Sequence, residues 1–314
     1  MNATVIGSRE QSTGKYWMWP FVAWRVFSRV LAGAVLVGLM PSPGMPVRAA
    51  PPVVDGFELS EVDEATWWLG QIRPSRFWID HRLTRSGRGA LAIRVEEEDS
   101  DCNGRCQRNE IRIANRLRLR FGEEAWYGFS FKIVGEISEH GSTRWVIGQW
   151  KQESGGSPFL AQRYDNGVFH VTVQDNDCRI IVAEANGHAD SAHAHRANVG
   201  YSALAFLSDS HFYDCDSDIR IEHGQEPPIL PDPHEQWIDM LYRVRGGRNG
   251  RGLIEIWANG TFIARVQGSI GYDDAMGPTQ YFKIGHYRDP IAAATTLYFD
   301  DFRRGDNRDA VEPR

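Results

Sequence analysis

One short segment near the end of the chain places reactive side chains on a single face of a predicted strand. It reads YFKIGHYR and covers residues 281–288. Side chains alternate between the two faces of a strand, so Tyr281, Lys283 and Tyr287 share one face while Phe282 and Ile284 lie on the other. Two phenols and an ammonium on one strand face contribute little to the stability of an ordinary sheet. This face is therefore predicted to meet a ligand, with phenols available for proton transfer.

Two other predicted strands carry charged and amide groups on one face. In QRNEIRI, residues 107–113, the same alternation groups Arg108, Glu110 and Arg112. In IGQWK, residues 147–151, it groups Gln149 and Lys151. A guanidinium offers a planar fork that matches a carboxylate, and an ammonium offers a point charge. Together with the tyrosines, these groups predict a groove for an anionic, hydroxyl-rich polymer such as an acidic polysaccharide.

The three segments, in this order, resemble the signatures of the jelly-roll polysaccharide lyases. In the alginate lyases of this type the signatures read R-[ST]-E-L-R, Q-[IV]-H and Y-F-K-A-G-x-Y, against R-x-E-x-R, Q-x-K and Y-F-K-x-G-x-Y here. The flanking sequences WYGFSF at 126–131 and IWANG at 256–260 look more like the heparin lyase I-like and glucuronan lyase branch. The likeness runs from about Gly89 to Arg304. It implies β-elimination at a uronic-acid linkage, which leaves an unsaturated uronate end.

The resemblance also implies roles for individual residues. Tyr287 matches the catalytic tyrosine of the family, and Gln149 matches the amide that binds the substrate carboxylate, with Arg112 assisting by charge. Lys151 stands where the alginate-type motif has histidine. A lysine there either neutralises the carboxylate or acts as the base, so the choice between Tyr287 and Lys151 as proton acceptor stays open. The substitution also leaves the identity of the polymer open.

Other polar groups on these faces are expected to bind substrate. A cation near the phenol favours its ionised form, and Lys283 lies four residues from Tyr287 on the same face. His170 shares a strand face with two polar residues and is a spare candidate for the base. Taken alone, the R-x-E-x-R pattern also fits a salt-bridge ladder on a solvated strand. The predicted substrate-binding residues are Arg108, Glu110, Lys283, Tyr281 and His170.

Two other functional classes compete with a lyase. A noncatalytic carbohydrate-binding jelly-roll module for acidic glycans would keep the cationic and aromatic groups but would not need Tyr287. A glycoside hydrolase on a similar sandwich needs paired carboxylates on a strand. The sequence contains no E-x-D-x-x-E run, which argues against the hydrolase.

The chain from about Gly89 onward reads as strands separated by turns, with hardly any helical period. Asn-Gly pairs at 166–167 and 259–260 are typical of tight hairpin turns. About twelve strands at this spacing predict an all-β, two-sheet jelly-roll sandwich of the concanavalin-like lectin and glucanase type. The predicted strands cover residues 91–95, 110–121, 126–134, 144–150, 159–164, 168–174, 179–183, 237–244, 253–258, 261–267, 281–287 and 296–302.

The ends of the chain differ in composition from the strand-rich part. Arg25 and Arg29 precede an apolar run at 30–40, and a small-residue cleavage pattern follows. The run is about half the length that spans a bilayer, which favours a signal peptide over a permanent anchor. We therefore expect a signal peptide at 1–49, a lead-in with first strands at 50–88, the lyase domain at 89–305 and a tail at 306–314. A polar stretch at 186–233 is predicted to be a functional lid or an insertion with its own short elements.

Charge and cysteine content agree with an exported protein. The 49 leading residues carry five basic and one acidic side chain, so their removal takes the net charge from −6 to −10. This excludes a general basic field for nucleic acid or an anionic membrane. Four cysteines favour two disulfides, Cys102 with Cys106 and Cys178 with Cys215, among three connectivities. We expect a secreted or periplasmic monomer that needs no cofactor; a structural Ca²⁺ ion stays open.

Overall fold

Segments with alternating apolar and polar residues become strands throughout the described part of the chain. The computed structural model describes residues 50–137, 144–153, 156–165, 167–176, 178–185, 217–225, 228–273 and 277–313. Apart from three short 3₁₀ turns, the regular structure within them is β-strand. The strands are Val53–Asp55 (β1), Trp67–Gln71 (β2), Phe77–Asp80 (β3), Ala90–Val95 (β4), Ser100–Asp101 (β5), Cys106–Ile113 (β6), Leu119–Arg120 (β7), Ala125–Gly135 (β8), Trp145–Gln152 (β9), Leu160–Asp165 (β10), Val168–Asp175 (β11), Cys178–Glu184 (β12), Arg220–His223 (β13), Ile238–Arg245 (β14), Gly247–Ala258 (β15), Thr261–Ile270 (β16), Thr279–Arg288 (β17) and Thr295–Gly305 (β18).

The strands form two antiparallel sheets. The first, called the site sheet, has the order β12-β11-β10-β9-β17-β6-β2, with β5 paired to β6 and β7 paired to β17. The second, called the covering sheet, has the order β13-β16-β15-β14-β8-β18-β4-β3, with β1 paired to β18. This is the predicted all-β jelly-roll sandwich. In the site sheet β17 lies between β9 and β6, so segments distant in sequence become neighbours.

Aromatic side chains from both sheets fill the space between them. The ring of Phe282 on β17 has its centroid 4.6 Å from that of Trp150 on β9 and 5.5 Å from that of Phe129 on β8. All three rings are almost fully buried. Burying a large apolar side chain contributes about 1.5–3 kcal/mol to stability. The core therefore determines which faces of β9 and β17 point away from it, and so where Gln149 and Tyr287 lie.

One predicted strand is interrupted. The prediction of a strand over residues 110–121 is wrong because β6 ends at Ile113 and a 3₁₀ turn, Asn115–Leu117, separates it from β7. Asparagine competes for backbone hydrogen bonds and favours turns. Arg304 also holds this turn, since its Nη1 donates to the Leu117 carbonyl at 2.6 Å.

The predicted Asn-Gly hairpin at the end of β15 is present. Asn259 and Gly260 both have positive φ, 48° and 77°, as a two-residue primed turn requires. Ala258 and Thr261 face each other across this turn. At the other predicted hairpin, Asn166 lies outside the described residues, although β10 and β11 pair as expected.

The chain ends and the predicted insertion are described only in part. Residues 1–49, the predicted signal peptide, lie outside the described residues, as do 186–216 and 226–227 of the predicted insertion. Within that insertion, β13 pairs with β16 of the covering sheet. In the tail, Val311 is fully buried. No helix among the described residues is long and apolar enough to cross a membrane.

Candidate active site

The three strands that carry the sequence motifs are neighbours in the site sheet. Across β17 and β6, Tyr287 faces Arg108, and Lys283 faces Arg112. Across β17 and β9, Lys283 faces Gln149. Strand pairing therefore gathers groups from three distant segments on one face, although they are up to about 180 positions apart in the chain.

Strand β17 shows the alternation that its sequence predicts. Phe282 and Ile284 are buried in the core, whereas Tyr287 is partly exposed on the opposite face. Between them Gly285 has a φ of 131°, and a Cβ atom there would lie 2.3 Å from the carbonyl oxygen of Asn109. Only glycine fits this close approach of β17 to β6. The glycine of the third motif thus lets β17 lie close enough to β6 for Tyr287 to meet Arg108.

Glu110 is the buried centre of the site. Its side chain has no solvent exposure and accepts a hydrogen bond from the Lys283 ammonium at 2.7 Å. It also accepts a short hydrogen bond from the amide nitrogen of Gln149, and Arg108 Nε lies 3.5 Å from it. Glu110 therefore orients Gln149 and neutralises Lys283. One amide hydrogen of Gln149 is used by Glu110, which leaves the second for another acceptor.

The ring of Tyr287 lies between two guanidinium groups. The Cζ atoms of Arg108 and Arg144 are 4.4 Å and 4.5 Å from its centroid. Each arginine is held in turn by a carboxylate, since Arg108 pairs with Asp101 at 3.3 Å and Arg144 pairs with Asp289 at 3.2 Å. A guanidinium stacks favourably on an aromatic face. This arrangement holds the ring between two positively charged groups.

A disulfide closes the loop next to Arg108. Cys102 and Cys106 are bonded, as the sequence predicts, and Arg108 Nη2 lies 3.6 Å from the Cys102 sulfur. Cys178 is buried, and its predicted partner Cys215 lies outside the described residues, so that pairing stays a prediction. Among the described residues, a close group of potential metal ligands consists of Asp101 and these two bonded cysteines. Their sulfurs are not thiolates and do not offer the ligands that a metal needs.

Lys151 is the site residue with the clearest change in acidity. Burial, together with the positive charges of Lys283 and Arg108, lowers its pKa from 10.5 to about 8. The carboxylate of Glu110 opposes this shift only in part. The ammonium donates to the carbonyl of Gly156 at 2.9 Å. A substantial fraction of Lys151 is therefore neutral in mildly alkaline solution and able to accept a proton.

A cavity of about 170 Å³, called the reactive cavity, joins these groups. Three arginines in its lining were not singled out by sequence reasoning. Arg144 precedes β9, Arg163 lies on β10 and donates to Thr172 Oγ1 at 3.0 Å, and Arg179 lies on β12. Their place in the lining depends on strand order and on the register shifts where β9 pairs with β10 and β17, so alternation along a single strand does not find them. The lining residues are Arg108, Glu110, Arg144, Val146, Gln149, Lys151, Gly156, Ser157, Pro158, Arg163, Arg179, Lys283 and Tyr287.

Two predicted site residues form a second cluster instead. The guanidinium of Arg112 lies 4.0 Å from the Trp68 ring centroid and 5.4 Å from that of Tyr281. Arg118 covers Tyr281 at 4.7 Å. Burial raises the pKa of the Tyr281 phenol, which keeps it neutral. We call these four residues the stacked ladder. Neither Arg112 nor Tyr281 is in the lining of the reactive cavity.

His170 is fully buried on β11 and is not among the residues that line the reactive cavity. Its Nδ1 donates to the Val168 carbonyl at 3.0 Å, and its Nε2 lies 3.5 Å from the Asp165 carboxylate. Its predicted contact with substrate stays a prediction.

A larger cavity, of about 730 Å³, lies beside the first residues of β15. Arg248, one of its lining residues, is paired with Asp175 and, at 3.2 Å, with Asp273. The described lining contains none of the residues of the three motifs. The reactive groups therefore belong to the smaller cavity, since chemistry requires them within reach of one another.

Comparison with known proteins identifies the family of the chain and supports its fold. A family model described as polysaccharide lyase matches residues 59–303. The endo-β-1,4-glucuronan lyase of the fungus Trichoderma reesei superposes with a TM-score of 0.52 at 13% identity, over 85% of this chain and 99% of that chain. An alginate lyase of polysaccharide lyase family 7 gives a TM-score of 0.48 at 14% identity, over 82% and 100%. A search of curated protein sequences finds no match.

Proposed function

The chain belongs to the polysaccharide lyase family, and from that premise we propose that it cleaves a uronate-containing polysaccharide by β-elimination. In this reaction a base removes the proton at C5 of the uronate, the electrons form a C4=C5 double bond, and the bond from C4 to the leaving oxygen breaks. The C5 proton lies next to an ionised carboxylate and is very weakly acidic. The site must therefore stabilise the carboxylate and position an acid and a base.

The cationic lining of the reactive cavity supports the first requirement. Arg108 and Arg144 flank the Tyr287 ring, and Arg163 and Arg179 line the same space. In this proposal they and the free amide hydrogen of Gln149 stabilise the enediolate that develops on the substrate. Fixed donors in a site with little water are effective because they need not reorganise during the reaction.

Two proton-transferring groups support the second requirement. We assign Lys151, in its neutral form, as the acceptor of the C5 proton. Tyr287 gives its hydroxyl proton to the leaving oxygen, and the flanking guanidiniums stabilise the phenolate that forms. The ammonium proton of Lys151 then returns to the phenolate by way of solvent. The observation that carries this proposal is that one cavity holds both Tyr287 between two arginines and a lysine with a pKa of about 8.

Substrate class and location follow as parts of the same proposal. The similar fungal structure is that of a glucuronan lyase. With a net charge of −10 after removal of residues 1–49, the protein would repel a densely sulfated polymer outside its cationic groove. A glucuronan- or alginate-like polymer is therefore the proposed substrate. The disulfide between Cys102 and Cys106 is suited to an oxidising compartment, which supports a secreted or periplasmic location.

A panel of uronate polysaccharides tests the proposed function. The protein is incubated with each polymer, and ultraviolet absorbance of an unsaturated uronate is followed in parallel with new reducing ends. β-Elimination predicts that absorbance and reducing ends rise together on at least one polymer. New reducing ends without the absorbance would indicate hydrolysis. Binding without either signal would favour a noncatalytic carbohydrate-binding module and would overturn the proposal.

A further inference from the structure

The stacked ladder combines aromatic rings with guanidinium groups, as the reactive cavity does, but one of its rings is partly exposed to solvent. Trp68, on β2, is 36% exposed, although it is a large aromatic residue. Arg112 lies over this ring at 4.0 Å and near Tyr281 at 5.4 Å, and Arg118 lies over Tyr281 at 4.7 Å. Aromatic faces stack on sugar rings and guanidiniums bind carboxylates, so the pattern suits an acidic sugar.

Arg112 differs from the other arginines of this surface in its partners. Within the described residues its side chain has no carboxylate at ion-pair distance and no hydrogen-bond acceptor, only the two rings. By contrast, Arg108 and Arg144 each pair with an aspartate, and Arg118 lies 3.6 Å from Glu153. A guanidinium that contacts aromatic rings rather than a carboxylate keeps its N–H groups available for a bidentate acceptor.

The position of Trp68 depends on a neighbouring glycine. A Cβ atom at Gly70 would lie 2.0 Å from the Trp68 ring, so a side chain there would push the ring aside. Strand pairing also sets Trp68 directly opposite Arg112. The sequence and the register of β2 thus place an indole where it supports the guanidinium and stays partly open to solvent.

The stacked ladder adjoins the end of the reactive cavity that lies away from Tyr287, since Arg112 faces Lys283 and Tyr281 faces Lys151 across the strand pairs. Arg112 is four residues beyond Arg108 on β6, which corresponds to roughly 13 Å along an extended strand. Arg108 contacts Tyr287, whereas Arg112 does not line the cavity that holds Tyr287. A polymer that reaches Tyr287 and the ladder at once places different sugar residues in the two sites.

We propose that the stacked ladder is a second subsite, which binds the carboxylate and ring face of a uronate residue away from the cleaved bond. The inference rests on the proposed function, because it assumes that a uronate polymer occupies the groove. It assigns Arg112 to recognition of another sugar of the chain rather than to the reacting one. The consequence is a preference for long chains over short oligosaccharides.

Chain-length dependence tests this subsite. Arg112→Ala and Trp68→Ala are compared with the unmodified protein on the polymer and on the shortest oligosaccharide that is cleaved. Loss of charged hydrogen bonds predicts that Arg112→Ala lowers kcat/KM on the polymer about tenfold or more. Loss of cation–π stacking predicts a decrease of about fivefold for Trp68→Ala. Both variants are expected to keep kcat at saturating polymer and kcat/KM on the short substrate.

Companion variants separate binding from folding. Gly70→Ala displaces the indole without removing it and is expected to reproduce the effect of Trp68→Ala. Arg120→Ala removes an exposed arginine outside the ladder and is expected to change nothing, and thermal melting checks that each variant folds. Arg112→Lys keeps the charge but not the planar fork, so it is expected to recover only part of the lost affinity.

Three results would overturn the inference. Equal losses on polymer and short substrate would place Arg112 at the reacting sugar, and no loss on either would show that the ladder binds nothing during turnover. If the unmodified protein cleaves no uronate polymer, the proposed function is wrong. Calorimetry with uronate oligosaccharides then tests separately whether the stacked ladder binds an acidic sugar. A lower affinity of Arg112→Ala would support the ladder as an acidic-sugar site. Unchanged affinity, or no binding by either protein, would reject it.

Discussion

The reactive cavity and the stacked ladder use the same residue types in opposite ways. In the cavity the Glu110 side chain is fully buried, and its ion pair and hydrogen bond fix Lys283 and Gln149. In the ladder Trp68 is 36% exposed, and Arg112 is held by rings rather than by a carboxylate. Proton transfer depends on fixed, desolvated groups, whereas recognition of a polymer tolerates exposed stacking. Under the proposed function, one face of the site sheet therefore carries the reacting groups in one region and a polymer-binding subsite in the next.

The largest effect is expected from removing the Tyr287 hydroxyl. Tyr287→Phe keeps the ring between Arg108 and Arg144 but deletes the proton donor, so kcat is expected to fall about 10³-fold with little change in KM. Steady-state kinetics on the best polymer checks this. Tyr298→Phe, on the covering sheet, is the matched control and keeps full activity. A fall in kcat of less than about tenfold would mean that Tyr287 is not the proton donor. The proposed difference in role between the reactive cavity and the stacked ladder would then be wrong.

Lys151 gives the next largest effect and a specific pH dependence. Because its pKa is lowered to about 8, the neutral base is scarce below that value and becomes dominant above it. We expect kcat/KM to rise with pH up to about 8 and then to level off. Lys151→Gln is expected to lose this rise and about 10²-fold in kcat. If the rise near pH 8 persists in Lys151→Gln, another group supplies it and the assignment of the base fails.

Glu110→Gln tests whether Glu110 contributes to catalysis as well as to the stability of the fold. The change leaves the Lys283 ammonium buried without its carboxylate, which costs about 3 kcal/mol of unfolding free energy. Glu255 is the matched control, because this buried carboxylate of the covering sheet pairs with Arg243 and Arg265. Chemical denaturation is expected to show similar losses for Glu110→Gln and Glu255→Gln. At temperatures where both variants are folded, only Glu110→Gln is expected to lower kcat/KM. Equal kcat/KM values for the two variants would mean that Glu110 has only a structural role.

The smallest effect is expected at the loop closed by Cys102 and Cys106. Asp101→Asn removes the ion pair that holds Arg108, and exposed pairs contribute about 0–1 kcal/mol, so kcat/KM is expected to fall by up to about fivefold. Asp273→Asn removes a comparable exposed partner of Arg248 and is expected to leave kinetics unchanged. A loss of more than about tenfold would show that this loop belongs to the reactive cavity itself.

The sequence predicts which face of a strand each residue lies on, but it does not predict which residues become neighbours across strands. The faces of Tyr287 and Phe282 follow from a period of two, and the structure has both as predicted. Trp68, Arg144 and Arg163 were not singled out because their place in the site depends on strand order and register, which no local pattern encodes.

The same limit explains the place of Arg112. It shares a face with Arg108, as alternation predicts, but the length of β6 carries it away from the reactive cavity toward Trp68. The break after Ile113 was missed because arginines and apolar residues continue to alternate through a turn.

Mass spectrometry of the products tests the central claim most directly. Oligosaccharides released from the best uronate polymer are compared with acid-hydrolysed fragments of the same length. Elimination in the reactive cavity predicts that each new non-reducing end is lighter by one water, and that Tyr287→Phe produces almost none of these ends. Fragments with their full complement of water, or lighter ends released undiminished by Tyr287→Phe, would contradict the account.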